Sequence, residues 1–244
     1  MNALGAYASG DAVERDVYGV KCIFRRCPRG AFWMGSPSHE AGRFHWEVRH
    51  KVTLTSDFWL LETPVTQELW QAVTRENPSR FRGDDLPMET VSWDDATGFV
   101  AKLNIAGLAP VGMRFDLPTE AEWEYACRAG TTTRYYWGDE LTEKDANFDG
   151  VVGTTTPVKA YAPNAWGLYD MHGNVCEWTQ DWFDKPSRRA AIDPVGPSCG
   201  ASRVNRGGGW SCDAEDCRSA SRLMLAPIDS TSSVGFRLAL KPTR

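Results

Sequence analysis

The 244-residue chain predicts a single α+β domain, rich in irregular chain and pinned by aromatic side chains. Three observations predict it. Eleven Trp and 22 Gly stand in a chain that is 42% hydrophobic with a mean hydropathy of −0.42, which favours turns and aromatic anchors over long helices. Helix-opening signals occur at Thr66, Ser92 and Thr119 only, amid short strand-like runs. Beyond Thr131 no helical period survives; apolar runs alternate with Gly, Pro, Asn and Asp clusters, with no repeat and no linker. Residues 21–244 therefore read as one domain.

The elements follow in order. Residues 1–20 are polar and read as a partly ordered segment. Weak alternation from Lys21 to Trp33 predicts a strand pair turning at Cys27-Pro28-Arg29-Gly30. A polar loop runs from Pro37 to Glu47, and strands are expected at 51–55 and 58–61. Thr66 is placed to cap a helix reaching about Val73, ended by Asn77-Pro78-Ser79. Ser92 opens a second to about Leu103, with Ala96, Phe99, Val100 and Leu103 on one face. Thr119, followed by acidic residues in the first turn, opens a third that stops near Arg128, before Gly130.

Charge narrows the function classes. The net charge is −5 and Arg is scattered among carboxylates, so nucleic acid is not an expected partner. No apolar run approaches the roughly 18–20 residues that span a bilayer. The first residues have neither the basic nor the apolar region of a signal peptide. Seven cysteines, an odd number, do not read as a disulfide framework, so a reducing cytoplasm is the default; secretion or surface display is the alternative where a leader has been removed.

The run 167–178, Gly-Leu-Tyr-Asp-Met-His-Gly-Asn-Val-Cys-Glu-Trp, is the chemical centre of the sequence. Gly173-Asn174 favours a turn with left-handed backbone, which makes a loop where carboxylates and carbonyls converge. Such oxygens bind Ca²⁺. The same residues read equally well as a buried turn whose carboxylates cap N–H groups.

Several blocks occur together in order: Phe32-Trp33-Met34-Gly35-Ser36, Pro64-Val65-Thr66-Gln67, residues 117–126, residues 167–178, Arg206-Gly207-Gly208 and Gly235-Phe236-Arg237. Together they resemble the formylglycine-generating enzyme, or sulfatase-modifying factor, family. That resemblance implies a compact C-type-lectin-like domain of antiparallel sheets, short helices and much irregular chain. It covers oxidases that convert a sulfatase cysteine to formylglycine, sulfoxide synthases, and non-catalytic binding proteins diversified by retroelements. It implies a structural Ca²⁺ held by Asp170, Glu177 and the carbonyls of Gly173 and Val175, and a second site at Asn147 and the carbonyl of Phe148. It also implies that Cys212 and Cys217 hold Cu(I), leaving positions for a substrate thiolate and oxygen.

Three positions depart from the oxidases: Gly209 replaces a Ser, Cys176 replaces a Trp, and 218–222 follow the generic family pattern. The alternative expectation is a binding protein for a protein or small-molecule ligand. Its surface would comprise Trp210, Ser211, Asp213, Asp216, Ser221, Leu223, Met224 and Leu225, continuing through Ile228, Ser230, Thr231, Ser232 and Ser233. These residues mix sizes and polarities without a period, as loop surface on a rigid scaffold does.

Other candidates read as structure. His39, His45 and His50 fit no common zinc spacing, and His172 reads as packing. Cys22 and Cys27 lie near Arg25, Arg26 and Arg29, which would stabilise thiolates; a turn beside a strand is the preferred reading. Residues 207–209 are not a phosphate loop, because no Lys-Ser/Thr follows.

Overall fold

The structure, a computed structural model, describes residues 9–243. The first strands are β1 (Ala12–Val17), β2 (Val20–Cys27), β3 (Gly30–Met34), β4 (His50–Leu54) and β5 (Phe58–Leu61). Helices α1 (Gln67–Thr74) and α2 (Trp93–Ile105) precede β6 (Met113–Asp116), and α3 (Glu120–Arg128) follows it. The remainder is β7 (Cys176–Trp182), β8 (Ala191–Ile192), β9 (Arg203–Arg206), β10 (Leu223–Leu225), β11 (Val234–Phe236) and β12 (Ala239–Pro242).

All three expected helices are present with the expected caps. Thr66 accepts from the Leu69 amide, while Ser92/Asp95 and Thr119/Glu122 form reciprocal capping boxes, so the caps satisfy one amide at the start of α1 and two each at α2 and α3. Helices α1 and α3 end on left-handed residues, Arg75 and Ala129.

The strands form a five-stranded sheet β1-β2-β5-β12-β6, a four-stranded sheet β10-β9-β7-β11 and a three-stranded sheet β3-β4-β8. Most pairings are antiparallel; β7 with β11 and β4 with β8 are parallel. One expectation is corrected here. Strands β2 and β3 do not pair with each other: β2 lies between β1 and β5, and β3 pairs with β4. The expected partly ordered segment also contains β1, joined to β2 by the two-residue turn Tyr18-Gly19 with φ of 53° and 87°. Positive φ at both central residues suits the twist of a tight hairpin; residues 1–8 lie outside the described part.

The main core packs α1 and α2 on the five-stranded sheet. Trp70 stacks on Phe99 at 5.0 Å, and both meet Phe236 edge-on. A second cluster gathers Met34, Leu54, Leu60, Trp123, Leu168 and Met171 around α3. Irregular chain is riveted to these cores by buried ion pairs. Arg206 binds Glu124, Arg222 binds Glu120, Arg218 binds Glu40 and Glu47, and Arg237 binds Glu177. Cys22 and Cys27 are buried, not thiolate sites: burial raises Cys22 to about 12 and Cys27 well above an ordinary thiol.

Candidate functional site: a thiol cluster beside an acidic loop

The central strand β7 places the acidic loop and the glycine run side by side. Glu177 pairs with Arg206 on one flank and with Gly235 on the other. The preceding loop turns through left-handed backbone at Asp170, Gly173 and Asn174, with φ of 55°, 81° and 66°. Only glycine fits at 173, because a Cβ there would lie 2.4 Å from the Asn147 carbonyl oxygen. The Gly173 amide donates to the Gly207 carbonyl and the Trp210 amide to the Asn174 carbonyl, both at 2.8 Å. The loop and the glycine run are thereby laced together.

Within the loop, Asp170 accepts the Lys159 amide on Oδ2, while its Oδ1 is buried without a partner. Asn147 donates to the Thr154 carbonyl and likewise leaves Oδ1 unpartnered. Burial lifts the Asp170 carboxyl to about 6. Two orphaned, buried oxygens and a destabilised carboxylate are what a hard cation would satisfy.

Glu177, expected as a ligand, is bound by protein partners. Its Oε1 lies 2.7 Å from Arg237 Nη2, its Oε2 accepts from Trp123 Nε1 at 2.7 Å, and Arg237 Nε reaches both oxygens. A guanidinium fork matches a carboxylate in two bonds, so with the Trp123 indole both Glu177 oxygens are already engaged by neutralising or donating partners. Among the described residues, no group of three or more His, Cys, Asp or Glu side chains is arranged to hold a metal.

The glycine run builds the thiol cluster. Gly207 and Gly208 have φ of 92° and 68°. A Cβ on Gly208 would lie 2.4 Å from the Cys217 sulfur, so the missing side chain is the space that sulfur occupies. A Cβ on Gly209 would lie 2.7 Å from the Ser233 carbonyl oxygen, which is why the serine of the oxidases does not fit this backbone.

Cys217 is fully buried, and burial pushes its thiol well up. Cys212 is half-buried between exposed Ser211 and Asp213. Its sulfur lies 3.9 Å from that of buried Cys176, whose S–H holds the Cys212 thiol below its ordinary value and is itself held up.

The segment is fixed from several sides. The Asp149 amide donates to the Cys212 carbonyl at 2.8 Å, and the Tyr135 hydroxyl to the Ala214 carbonyl at 2.7 Å. His172, which reads as packing in the sequence, has a further role. Burial lowers it to about 3, so it is neutral; Nδ1 faces the Cys217 carbonyl at 2.6 Å and must carry the proton, while Nε2 accepts the Tyr136 amide. No sequence signal distinguished it from a packing histidine. Arg218 ties this segment to the 37–47 loop through Glu40, Glu47 and the Gly42 carbonyl.

The expected 211–233 surface is only partly a surface. Ser211, Asp213, Met224, Ile228, Ser230 and Thr231 are exposed. Asp216, Ser232 and Ser233 are half-buried, and Leu223 and Leu225 pack on the main core from β10. Trp210 braces the segment, donating to the Ser232 carbonyl at 2.9 Å and meeting Phe81 edge-on. Ser221 is corrected: it is fully buried beneath the segment, and its carbonyl accepts from Arg206.

With this fold and loop arrangement in view, the chain matches a known family. The sulfatase-modifying factor enzyme 1-like domain matches residues 24–242. The chain belongs to that family. It is 35% identical over 210 residues to the formylglycine-generating enzyme of Mus musculus, covering 78% of this chain and 53% of that protein. It is 37% identical over 199 residues to the formylglycine-generating enzyme of Thermomonospora curvata, covering 71% and 61%. The chain thus spans about half to three-fifths of these relatives' length.

Among solved structures it resembles Treponema denticola variable protein 1, with a TM-score of 0.85 at 30% identity, covering 95% of this chain and 99% of that one. It also resembles PvdO from Pseudomonas aeruginosa, with a TM-score of 0.82 at 29% identity, covering 97% and 100%. The C-type-lectin-like expectation is met by these neighbours and by the mostly-sheet architecture with three short helices. Among the described residues no helix is long and apolar enough to cross a membrane.

Proposed function

We propose that this chain is an oxidase of the formylglycine-generating type, acting on a cysteine of a protein substrate, with Cys212 and Cys217 as the ligands of Cu(I). The observation that carries this reading is the thiol pair itself: a half-buried Cys212 and a buried Cys217 whose sulfur is seated against a turn that only glycines can make. Soft sulfur donors suit Cu(I), and a metal deprotonates a thiol that burial alone keeps protonated. Bound there, the ion would supply a Lewis-acidic centre for a third thiolate and O₂.

The chain's own residues prepare that site. Gly208 makes room for the Cys217 sulfur, the Asp149 amide fixes the Cys212 carbonyl, and neutral His172 fixes the Cys217 carbonyl. Cys212 is half-buried between the exposed residues Ser211 and Asp213, where a peptide thiol would approach. A structural Ca²⁺ is part of the same reading, with the unpartnered Asp170 Oδ1 as a donor at one site and Asn147 Oδ1 at the second, and with Glu177 left to Arg237.

The second reading is a non-catalytic binding domain. It is favoured by Met224 and Ile228, which are 48% and 76% exposed beside the polar residues 229–231, and by the full-length likeness to variable protein 1. A mass-spectrometric assay separates the two readings. The reduced protein, loaded with Cu(I), is given O₂, a thiol reductant and a sulfatase-type Cys-x-Pro-x-Arg peptide. The oxidase reading expects the aldehyde product from the parent and none from Cys212→Ala or Cys217→Ala. A folded, copper-loaded parent that leaves the peptide unchanged overturns it on that substrate and leaves the binding domain.

A further inference from the structure

Cys176 is the feature that the proposed oxidase chemistry leaves unused. It opens β7 and is 2% exposed, yet its nearest sulfur is not the family-pattern partner of Cys212 but Cys212 itself. The backbones on either side are locked. The Cys176 amide donates to the Ser233 carbonyl, the Cys212 amide to the Gly209 carbonyl, and the Cys212 carbonyl accepts the Asp149 amide, all within 2.8–2.9 Å. The 3.9 Å between the two sulfurs is therefore set by side-chain torsions across two strapped segments. A disulfide needs a separation of about 2.05 Å, and side-chain rotation is the motion that the strapped backbones leave to supply it. Cys217, by contrast, has its sulfur tucked against Gly208 and its carbonyl held by His172.

We infer that Cys176 and Cys212 are a redox pair: a low-molecular-weight disulfide oxidises them to a Cys176–Cys212 disulfide, which withdraws Cys212 from the thiol site. The Cys212 thiolate attacks one sulfur of the oxidant, forming a mixed disulfide and expelling one small-molecule thiolate. The Cys176 sulfur then attacks the Cys212 sulfur and expels the second small-molecule thiolate, which takes up the Cys176 proton. Two protein thiols are oxidised and one disulfide is reduced to two thiols. Order follows from access, since Cys212 reaches solvent between Ser211 and Asp213 and Cys176 does not. The linkage rests only on this geometry; its effect as an off-switch rests on the proposed oxidase.

The test is disulfide mapping of the full chain. Reduced protein is treated with glutathione disulfide, denatured with iodoacetamide, and digested with trypsin and an Asp-directed protease. Cleavage at Asp213 and Asp216 separates Cys212 from Cys217, so each linkage has its own mass. The expected result is a peptide joining Cys176 to Cys212, with Cys217 alkylated, and the same linkage in Cys217→Ala. A Cys212–Cys217 linkage, glutathione left on Cys212, or unmodified thiols would each overturn the pair.

A parallel arm measures peptide-cysteine conversion before and after the same treatment. The off-switch expects conversion to be lost in the parent and kept in Cys176→Ala. A parent inactive even when reduced sinks the oxidase reading, while the mapping still decides the redox pair.

Discussion

Glu177 offers the sharpest test of how this fold is held together. Its carboxylate and the Arg237 guanidinium are both completely buried and joined through two nitrogens, and Arg237 also donates to the Leu61 and Tyr169 carbonyls. Replacing Glu177 by Gln keeps the shape but leaves a buried cation without its counter-charge. Breaking a buried pair in this way costs about 3–5 kcal/mol. Two of the guanidinium's bonds go to carbonyls that the substitution does not touch, which argues for the lower end.

At about 2–4 °C per kcal/mol for a chain of this size, the melting temperature should fall by roughly 6–12 °C at that lower end. The exposed pair Lys21–Glu14 is the control: Glu14→Gln should move it by no more than about 4 °C, since exposed pairs contribute about 0–1 kcal/mol. The assay is thermal unfolding followed by circular dichroism, in EDTA and in Ca²⁺. The reasoning fails if Glu177→Gln melts with the parent in EDTA and falls only in Ca²⁺, because Glu177 would then be a cation ligand rather than the partner of Arg237.

Four other outcomes follow from the same contacts. Burial raises Asp170 to about 6, and burial with the Glu120 carboxylate raises Asp181 to about 7. At these two sites the folded state binds protons the unfolded state has lost: their contribution to stability is fullest below about pH 4 and declines as pH rises through 6–7. Denaturant titrations of Asp181→Asn should show a flatter decline between pH 5 and 8. Ca²⁺ at pH 7.5 should raise the parent's melting temperature and leave Asp170→Asn unmoved, as differential scanning fluorimetry would show. Gly208→Ala, with φ of 68° and a Cβ meeting the Cys217 sulfur, should destabilise the chain and expose Cys217 to a thiol reagent. Thr119→Ala should cost about 1 kcal/mol in a urea titration by removing one half of the α3 capping box.

The helices were legible because their signals are local. Thr66, Ser92 and Thr119 each stand three residues before the amide they cap, and no distant contact is needed to recognise them. Strand pairing was not local, so the apparent 21–33 hairpin dissolved into two sheets. The real hairpin at Tyr18-Gly19 was hidden by a tyrosine in a position usually taken by Asn or Asp.

The candidate site shows the same division. Left-handed backbone at Gly173-Asn174 and the glycine run could be read directly, since only a few residue types tolerate such φ values. The destination of Glu177 could not, because Arg237 lies sixty residues away in sequence and competes for the same oxygens. Nor could the nearness of Cys176 to Cys212, which depends on how the loop and glycine run are laced. Ser221 was misplaced because a stretch without period looks like surface, even where buried arginines take its carbonyls.

On the proposed oxidase reading, Cys212 and Cys217 together take up Cu(I). Anaerobic titration of the reduced protein with Cu(I), against a chromophoric copper chelator, tests it most directly. The account predicts one tightly held Cu(I) per chain in the parent and in Cys176→Ala, and its loss in Cys212→Ala and Cys217→Ala. A parent that leaves all the copper with the chelator, or a Cys212→Ala variant that holds it as tightly as the parent, would contradict the account.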